Sequence, residues 1–554
     1  MTRLLIRVLR SNHQQKKQQQ RRARAGWLPP PSFASWVLGQ QRLKQQHQHQ
    51  QCRRASSRSF DDAHRRLSPL ARAIPLNASE AKVRLLRDPT EFYETLLASI
   101  TRARRHISLS ALYLGTDALE QRLVARLDEA LTSQPELTVR LLFDGSRALR
   151  KSRESGASTV SLLLPLLRKH GPDRIELHLC TMPAARRAAK LSSLLGEVAG
   201  VCHVKAFVAD DEVIVTGANL STEYFRDRQD RYVHIGHGRG VAEWYHGLVE
   251  ALGRCADTVE AGATPASEPT ANYALRPAQH PHDQWRDVLE RLVQPPAAAA
   301  QEGAAPHDTY VFPTIQCGPV GMDHDARVVH AALDSVPADG VVRLATAYLN
   351  PPPPLISALA GAAPRGEVSI LTAHRDSHGF QSARGLLSYV VDCYVYIESQ
   401  QLRPALQAAS QAAASAASAT TATTKMAPAA AARYDERPVQ IQGYRREGWT
   451  YHAKGLWVAP SASEPCFLSI AGSSNFGRRS FERDLEAQMV ILSEEPDLRA
   501  ALDEEWARLC AHRAPTAEEL AFDGAPSNAQ SAISATPPPR FAASYLTKLG
   551  AWLL

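Results

Sequence analysis

Several common features are missing from this chain of 554 residues. No apolar run approaches the roughly 18 residues that are needed to span a bilayer. The eight cysteines are scattered and never form a Cys-x-x-Cys pair, which argues against a zinc ribbon or a disulfide scaffold and fits a reducing compartment. No Gly-x4-Gly-Lys-Ser/Thr sequence occurs, so we predict no nucleotide-binding P-loop.

Acidic residues are absent from the first 60 residues, which contain thirteen Lys and Arg. The formal net charge of the whole chain is +8, so the remainder carries a net charge of about −5. The basic excess therefore belongs to this leader, and we predict no nucleic-acid partner. A basic, Gln-rich start without acids is typical of a mitochondrial transit peptide. We predict a transit or disordered leader over 1–60. The alternative is a disordered basic tail without a targeting function.

Predicted strands and helices alternate after the leader, as expected for a layered α/β domain. A first α/β half is predicted over 80–255. The strand pattern then repeats over 308–512, which indicates an internal duplication. Three strands are predicted to recur, His106–Tyr113 as Val341–Leu349, Val139–Phe143 as Val368–Thr372, and Ile175–Cys180 as Cys393–Ile397.

Three further stretches lie between or after the halves. We interpret 256–307 as a linker with a short helix at Trp285–Val293. The stretch 405–432 is almost all Ala, Ser, Gln and Thr, and we interpret it as a low-complexity insertion. The tail, 513–554, ends in the apolar stretch Phe541–Leu554, which contains Tyr, Trp and one Lys. We predict an interfacial membrane segment there, with a helix packed on the protein's own core as the alternative.

One set of polar residues occurs twice at matching offsets. Each copy has a His-x-Lys tripeptide, then an Asn in a Gly-containing turn, then an acid eleven positions after that Asn. A lone His-x-Lys usually marks an ordinary strand, but chance rarely repeats the whole set. The candidate catalytic residues are His203, Lys205, Asp210, Asn219 and Asp230 in the first copy, and His452, Lys454, Asn475 and Glu486 in the second.

These residue types suit the transfer of a phosphoryl or phosphatidyl group. A histidine attacks phosphorus only with a neutral ring in the right tautomer, which a carboxylate on the other ring nitrogen enforces. We expect Asp230 and Glu486 to orient the two rings in this way. A second histidine, held protonated, can give its proton to the departing oxygen. Lys and Asn supply positive charge and N–H dipoles to the phosphate oxygens. Each copy supplies half a site, so both are needed.

The two copies differ at one position. Asp210 completes a His-x-Lys-x4-Asp pattern in the first copy, but Ala459 stands at the corresponding position of the second. The aspartate therefore cannot be required in both halves. We expect Asp210 to order the strand turn or a neighbouring basic group.

Arginines near the motifs are candidate substrate-binding residues. Arg147 and Arg150 follow the predicted strand that ends at Asp144, at the carboxyl edge where α/β sheets bind ligands. Arg478 and Arg479 come just after the Asn of the second copy. We predict that these cations bind the phosphate groups of an anionic substrate, with solvated surface charge as the alternative.

The paired His-x-Lys motifs, the Gly-Ala-Asn and Gly-Ser-Ser-Asn turns and the trailing acids resemble those of the phospholipase D superfamily. The blocks Arg228–Tyr232, Tyr451–Trp457 and Arg483–Gln488 resemble its mitochondrial branch that transfers phosphatidyl groups to glycerol 3-phosphate. The resemblance runs from about residue 85 to 510, outside the low-complexity stretches. It implies two fused phospholipase D-like α/β/α halves with the active site at their interface.

The resemblance also implies a two-step reaction. His203 is implied to attack the β-phosphorus of CDP-diacylglycerol and form a phosphatidyl-histidine, while His452 protonates the departing CMP. His452 is then implied to deprotonate a hydroxyl of glycerol 3-phosphate, which yields phosphatidylglycerophosphate. Spacing alone does not decide which histidine attacks. The resemblance implies no cofactor and no metal, and a place on the matrix side of the mitochondrial inner membrane.

Other functions fit the same motifs. A cardiolipin synthase, a phosphatidylserine synthase and a hydrolase of this superfamily differ only in the acceptor that attacks the histidine intermediate. The net acidic body disfavours a nuclease. An inactive lipid-binding scaffold is suggested only by Ala459. The retention of both histidines, both lysines and both asparagines speaks against a scaffold.

Overall fold

The computed structural model describes residues 57–188, 193–262, 273–295, 307–362, 366–381, 390–408, 411–412 and 439–514. The predicted leader before residue 57, most of the 405–432 insertion and the predicted membrane segment after residue 514 lie outside these residues. Among the described helices, none combines the length and the apolar character that are required to cross a membrane.

The described elements alternate between strands and helices along most of the chain. The strands are β1 (Ile74–Leu76), β2 (Val83–Leu86), β3 (His106–Ala111), β4 (Thr138–Asp144), β5 (Ile175–Cys180), β6 (Ala206–Ala209), β7 (Glu212–Thr216), β8 (Arg228–Gln229), β9 (Tyr232–Ile235), β10 (Asp257–Ala261), β11 (Tyr273–Arg276), β12 (Thr309–Cys317), β13 (Val341–Thr346), β14 (Glu367–Ala373), β15 (Gln440–Tyr444), β16 (Thr450–Tyr451), β17 (Gly455–Ala459), β18 (Leu468–Gly472) and β19 (Leu485–Ser493).

Most helices connect strands or cover a sheet face. They are α1 (57–67), α2 (Pro89–Arg102), α3 (Ala118–Ser133), α4 (Gly145–Ala148), α5 (Thr159–His170), α6 (Pro183–Ala188), α7 (Ser193–Ala199), α8 (Thr222–Arg226), α9 (Arg239–Arg254), α10 (Trp285–Val293), α11 (His324–Asp334), α12 (Pro353–Ala362), α13 (Val390–Tyr396), α14 (Arg478–Glu482) and α15 (Pro496–Cys510). A π-helical turn, Ile397–Leu402, and a helix at 403–408 continue α13.

The strands form two large sheets of matching topology. One sheet has the order β11-β10-β5-β4-β3-β6-β7-β9-β2, and the other has the order β15-β14-β13-β17-β18-β19-β12-β1. In each sheet, three parallel strands adjoin an antiparallel set, because β3 pairs with β6 just as β13 pairs with β17. The predicted α/β fold of two similar halves is confirmed.

The two halves share one apolar core in addition to a core of their own. Trp244, Tyr245 and Leu248 of α9 belong to the shared cluster, together with Val204 from the first half and Ile315 from the second. All five side chains are at most 5% exposed. Because α9 packs against strands of both sheets, the halves are held in a fixed relation where the two motif copies meet.

One predicted strand is wrong. The run Cys393–Ile397 is rich in aromatic and β-branched residues, which favour strands, but it lies in α13 and the π-helical turn after it. The third parallel strand of this sheet is β15, which comes after the low-complexity insertion and pairs with β14 from Ser369↔Gln440 onward. Tertiary pairing overrides local propensity here.

The predicted linker contains part of the first sheet. Within 256–307, β10 pairs antiparallel with β5, and β11 pairs antiparallel with β10. The N-terminal sheet therefore extends to Arg276, beyond the predicted end of the first half at residue 255. The helix predicted at Trp285–Val293 is present with those bounds.

The segment before the first half packs on the second half. Phe60 and Leu67 of α1 are buried in the core of the second sheet, and β1 pairs antiparallel with β12. The backbone N–H of Ala78 donates to Asp308 Oδ1 at 3.0 Å. Residues 57–78 thus form a strap that joins the beginning of the chain to its C-terminal half.

Deleting 1–79 is expected to destabilise the protein strongly, whereas deleting 1–56 keeps every described contact. The longer deletion exposes the surfaces that Phe60, Leu67, Ile74 and Leu76 cover, and burying one such side chain contributes about 1.5–3 kcal/mol. We expect the free energy of unfolding to fall by at least about 4 kcal/mol. Urea unfolding followed by tryptophan fluorescence compares the two truncations, and equal midpoints would show that the strap does not stabilise the fold.

Candidate active site

The two His-x-Lys motifs lie just before the equivalent strands β6 and β17. Strand β6 begins only at Ala206, because the residues before it bond to the backbone of the other half. The backbone N–H of His203 donates to Leu485 O at 2.8 Å. In the same way, the backbone N–H of His452 donates to Gln229 O at 2.7 Å. Each histidine is therefore held by the residue that precedes the other half's trailing acid.

The trailing acids hold the two imidazole rings. Nδ1 of His203 lies 2.9 Å from Glu486 Oε2 and 3.1 Å from Oε1. Nδ1 of His452 lies 2.6 Å from Asp230 Oδ2. Each pair joins a histidine of one half to an acid of the other. Because each Nδ1 faces a carboxylate, Nε2 of each ring is left for other partners.

The motif lysines are fully buried beside the rings. Nζ of Lys205 donates to His203 O at 2.8 Å, and Nζ of Lys454 donates to His452 O at 2.6 Å. Both lysines have no exposed surface. Nζ of Lys454 also lies 3.5 Å from Asp230 Oδ2. We call these six residues, the two histidines, two lysines and two acids, the reactive centre.

Burial dominates the electrostatics of the reactive centre. It lowers the pKa of Lys205 to about 7 and that of Lys454 to about 8, and it raises the pKa of Asp230 to about 6. Burial, followed by the charge of the adjacent motif lysine, holds the pKa of His203 and of His452 well below the ordinary value. Both rings are therefore neutral at physiological pH without substrate. This differs from the expectation that one histidine is held protonated, which considered a carboxylate partner but not burial.

The turns that carry the asparagines position the two acids differently. A Cβ atom on Gly217 would lie 2.6 Å from Lys454 Nζ and 2.7 Å from Asp230 Oδ1. Glycine is therefore required for the close approach of this lysine and this acid. At the corresponding position of the second copy, the Ser473 hydroxyl donates to Glu486 Oε2 at 2.5 Å. The second turn holds its acid directly.

Asn219 contacts the reactive centre through a tyrosine. Its Oδ1 accepts from Leu112 N at 3.2 Å, and its Nδ2 donates to Tyr224 OH at 3.2 Å. The buried Tyr224 hydroxyl lies 3.3 Å from His452 Nε2. Sequence reasoning missed Tyr224. Its signal was a difference between the copies, because Ser480 stands five positions after the second asparagine, where Tyr224 follows the first.

Asn475 occupies the corresponding place in the second half but makes different contacts. Its backbone N–H donates to Ser480 Oγ at 3.1 Å, and its backbone carbonyl accepts from Thr346 Oγ1 at 2.7 Å. Within the described part of the chain, the side-chain Oδ1 is buried without a hydrogen-bond partner. The two asparagines are thus not equivalent.

The structure does not bring Asp210 into the reactive centre. Asp210 lies in the turn after β6, at the opposite end of that strand from His203. Its carboxylate accepts from the backbone N–H groups of Arg104, Arg105 and His106, at 2.8, 2.9 and 3.0 Å. The prediction that Asp210 is a catalytic residue is therefore corrected. Its contacts are those expected of a residue that orders the turn. The alanine of the second copy, Ala459, removes no group from the reactive centre.

Two of the predicted substrate-binding arginines meet at one glutamate. Arg147 forms an ion pair with Glu197 at 3.2 Å, and the half-exposed Arg150 pairs with the same carboxylate. The guanidinium of Arg147 also lies 4.9 Å from the centre of the Tyr113 ring. Part of this positive charge is therefore already neutralised by the protein.

Arg479 is brought closer to the reactive centre. Its Nε lies 2.9 Å from Asp484 Oδ2, and its Nη2 donates to Glu197 O at 2.5 Å. Its charge is one of the influences that lower the pKa of His203, after burial. Arg478 begins α14, and its backbone N–H donates to Asn350 O at 2.8 Å. This backbone contact does not support the predicted role of its side chain in substrate binding.

A further arginine near the reactive centre, Arg228, was not among the predicted site residues. The guanidinium of Arg228 lies 4.8 Å from the centre of the Tyr224 ring and forms an ion pair with Glu223 at 2.8 Å. Its charge is one of the influences that lower the pKa of His452. Arg228 and Arg479 therefore place one fixed positive charge near each histidine.

Each of the two α/β halves contributes a His-x-Lys pair and an acid to one shared centre. This arrangement is of the phospholipase D type. The fold is similar to that in the crystal structure of phosphatidylserine synthase from Haemophilus influenzae Rd KW20, with a TM-score of 0.61 and 19% sequence identity. The likeness covers 89% of this chain and 99% of that one. No family model matches the chain.

Curated relatives are similar over most of their length. The chain is 31% identical over 468 residues to the mitochondrial CDP-diacylglycerol–glycerol-3-phosphate 3-phosphatidyltransferase of Gallus gallus, covering 78% of each chain. It is 32% identical over 463 residues to that of Homo sapiens, covering 78% of this chain and 77% of the relative. The enzyme of Saccharomyces cerevisiae is 27% identical over 470 residues, covering 80% and 84%. The chain belongs to the CDP-diacylglycerol–glycerol-3-phosphate 3-phosphatidyltransferase family.

Proposed function

We propose that this protein transfers the phosphatidyl group of CDP-diacylglycerol to glycerol 3-phosphate, releasing CMP, through a phosphatidyl-histidine intermediate. The observation that carries the proposal is the reactive centre, in which each of two neutral imidazoles is held through Nδ1 by the other half's acid. The names of the relatives supply the donor and the acceptor.

His203 is the better placed nucleophile. Its side chain is 11% exposed, compared with 5% for that of His452. Its Nδ1 is bound by Glu486, so Nε2 is the nitrogen that attacks. In the first step, a bond forms between this Nε2 and the β-phosphorus of the donor, and the bond between that phosphorus and the CMP oxygen breaks. The buried Lys205 and Lys454 stabilise charge on the phosphate oxygens.

His452 serves the second step as a general base. Its lowered pKa keeps the ring neutral, so Nε2 can take the proton of an acceptor hydroxyl. The hydroxyl oxygen of glycerol 3-phosphate then attacks phosphorus, and the bond to His203 breaks. The Tyr224 hydroxyl, 3.3 Å from His452 Nε2, is a positioning group for the ring and marks where the reacting oxygen approaches.

The arginines around the reactive centre are proposed to bind the charged ends of the substrates. Arg479 lies on the His203 side and Arg228 on the His452 side, and each has a fixed acidic partner. The pair formed by Arg147 and Arg150 is proposed to contribute long-range attraction, since Glu197 already binds both. Guanidinium groups suit this role because they bind phosphate through two parallel hydrogen bonds.

We further propose that the protein acts at the matrix face of the mitochondrial inner membrane. Three observations support this location. The relatives' names are mitochondrial, residues 1–60 have the composition of a transit peptide, and the donor is a lipid. The apolar stretch Phe541–Leu554 stays a predicted membrane contact.

An acceptor assay tests the proposed function. Protein lacking 1–56 is incubated with CDP-diacylglycerol in detergent, with EDTA present, and with labelled glycerol 3-phosphate, labelled serine or labelled phosphatidylglycerol in parallel. We expect a new labelled phospholipid to form only from glycerol 3-phosphate, with one CMP released per product. A double variant, His203→Ala with His452→Ala, is the matched control and should give neither product.

Each other result identifies an alternative. Incorporation of serine or phosphatidylglycerol would identify that molecule as the acceptor in place of glycerol 3-phosphate. The proposed transfer through a histidine would remain. CMP released without any lipid product would indicate a hydrolase. Neither CMP nor labelled lipid from the wild-type protein would indicate a scaffold.

A further inference from the structure

A second concave site lies between the halves, next to the reactive centre, and Asp230 is the one residue that belongs to both. A cavity of about 280 Å³ is lined by Leu86, Arg87 and Asp88 from the first half and by the C-terminal part of α15 from the second. Neither motif histidine and neither motif lysine lines it. Its volume is close to the lower end of the range of small-molecule sites, about 300–1,000 Å³.

Three arginines line this cavity without acidic partners. In the described part of the chain, Arg87, Arg446 and Arg508 form no ion pair, whereas most other arginines near the reactive centre do. The guanidinium of Arg446 lies 3.5 Å from the centre of the Trp449 ring, which fixes its position without neutralising its charge. The cavity therefore gathers three guanidinium charges that pair with no carboxylate in the described part of the chain.

The acids in the lining are already engaged elsewhere. Asp88 caps α2 by accepting from Glu91 N at 2.9 Å. Glu505 binds the buried Arg231 at 2.8 Å. The third acid, Asp230, belongs to the reactive centre and binds His452. Glu505 and Asp230 thus each have a cationic partner outside the lining, Arg231 and Lys454, so the three arginines outnumber the one remaining carboxylate, Asp88.

We propose that this cavity is a second anion site, which binds a phosphate group carried either by a soluble phosphate or by the headgroup of an anionic phospholipid. Guanidinium groups present paired N–H donors that match phosphate oxygens, and an arginine without a carboxylate partner keeps these donors available. His512, also in the lining, can add a further N–H donor.

An occupant of this site touches the segment that holds His452. Gln229 and Asp230 line the cavity, and they bind the backbone N–H and the ring of His452, respectively. The site thus adjoins the reactive centre and shares only Asp230 with it. This inference does not depend on which acceptor the enzyme uses.

Calorimetric titration of the full chain with inorganic phosphate tests the site. The test variant carries Arg446→Gln with Arg508→Gln. Arg87→Gln serves as a second test variant, because Arg87 is exposed and its replacement leaves the core intact. The control carries Arg239→Gln with Arg254→Gln, which removes the same charge from exposed pairs on α9. We expect phosphate binding at one site to weaken about tenfold or more in both test variants and to stay unchanged in the control.

A parallel sedimentation assay with vesicles of phosphatidylcholine containing phosphatidylglycerol distinguishes the two sources. Loss of phosphate binding with unchanged vesicle binding would identify a soluble phosphate, and loss of both would identify a lipid headgroup. Unchanged phosphate affinity and stoichiometry in both test variants would overturn the proposal. So would weakening of equal size in the control, because binding would then follow net charge alone.

Discussion

A His452→Ala variant is expected to release about one CMP per enzyme and then stop, whereas a His203→Ala variant is expected to release none. The departure of CMP and the attack of the acceptor hydroxyl depend on acid–base catalysis to different degrees. CMP departs as a phosphate whose second pKa is about 6, so its oxygen leaves without much protonation. The acceptor hydroxyl has a pKa near that of water, about 15.7, so the second step depends on the base.

The geometry supports this asymmetry. His203 keeps its contact with Glu486 when His452 is removed, because that acid belongs to the other pair. Steady-state transfer by His452→Ala should fall by roughly 10²–10⁴-fold, the usual contribution of a positioned base. The phosphatidyl group should then accumulate on His203.

Rapid-quench measurement of CMP, with mass spectrometry of the acid-labile adduct, checks this result. The wild-type enzyme with glycerol 3-phosphate omitted provides the matched control, since it should give the same burst. A burst in His203→Ala and none in His452→Ala would reverse the assignment of the two histidines. Equal steady turnover in both variants would remove the covalent intermediate from the mechanism.

An Arg231→Met variant is expected to lose about 3–5 kcal/mol of unfolding free energy, the usual cost of leaving one member of a buried ion pair alone. The Arg231 side chain is 1% exposed and that of Glu505 is 5% exposed. The guanidinium also donates to Ile470 O at 2.6 Å and to Ser469 Oγ at 2.7 Å, and lies 4.1 Å from the centre of the Trp457 ring. One first-half arginine thus joins a strand and a helix of the second half.

Chemical unfolding followed by tryptophan fluorescence measures this loss. Arg239→Met is the matched control, because Arg239 and Glu243 form a surface pair with side chains 72% and 58% exposed. Such pairs contribute at most about 1 kcal/mol. A loss in Arg231→Met no larger than that in Arg239→Met would show that the ion pair does not hold the halves together.

Local signals predicted most of the scaffold and the members of the reactive centre. Strand alternation located β3, β4 and β13, and equal offsets located both histidines and both acids, because these features depend on near neighbours in the chain. The strand predicted at Cys393–Ile397 failed for the same reason. Its composition favours a strand, but the place beside β14 is taken by β15, about seventy residues along from β14.

Long-range pairing could not be predicted from spacing. His203 and Glu486 are 283 positions apart, and only the docking of the two sheets shows that each acid serves the other half's histidine. The low pKa of both rings also follows from burial, which the sequence does not display. Tyr224 could not be predicted from the repeat, because Ser480 stands at the corresponding position of the second copy.

On the proposed mechanism, the crossed pairing of acids and histidines makes catalysis conditional on complete folding. A first half alone would present His203 without Glu486, and a second half alone would present His452 without Asp230. An N-terminal half that emerges from synthesis first therefore holds a histidine that nothing orients. On this mechanism, cleavage of the activated lipid cannot begin until β19, the last strand in the described part of the chain, is in place.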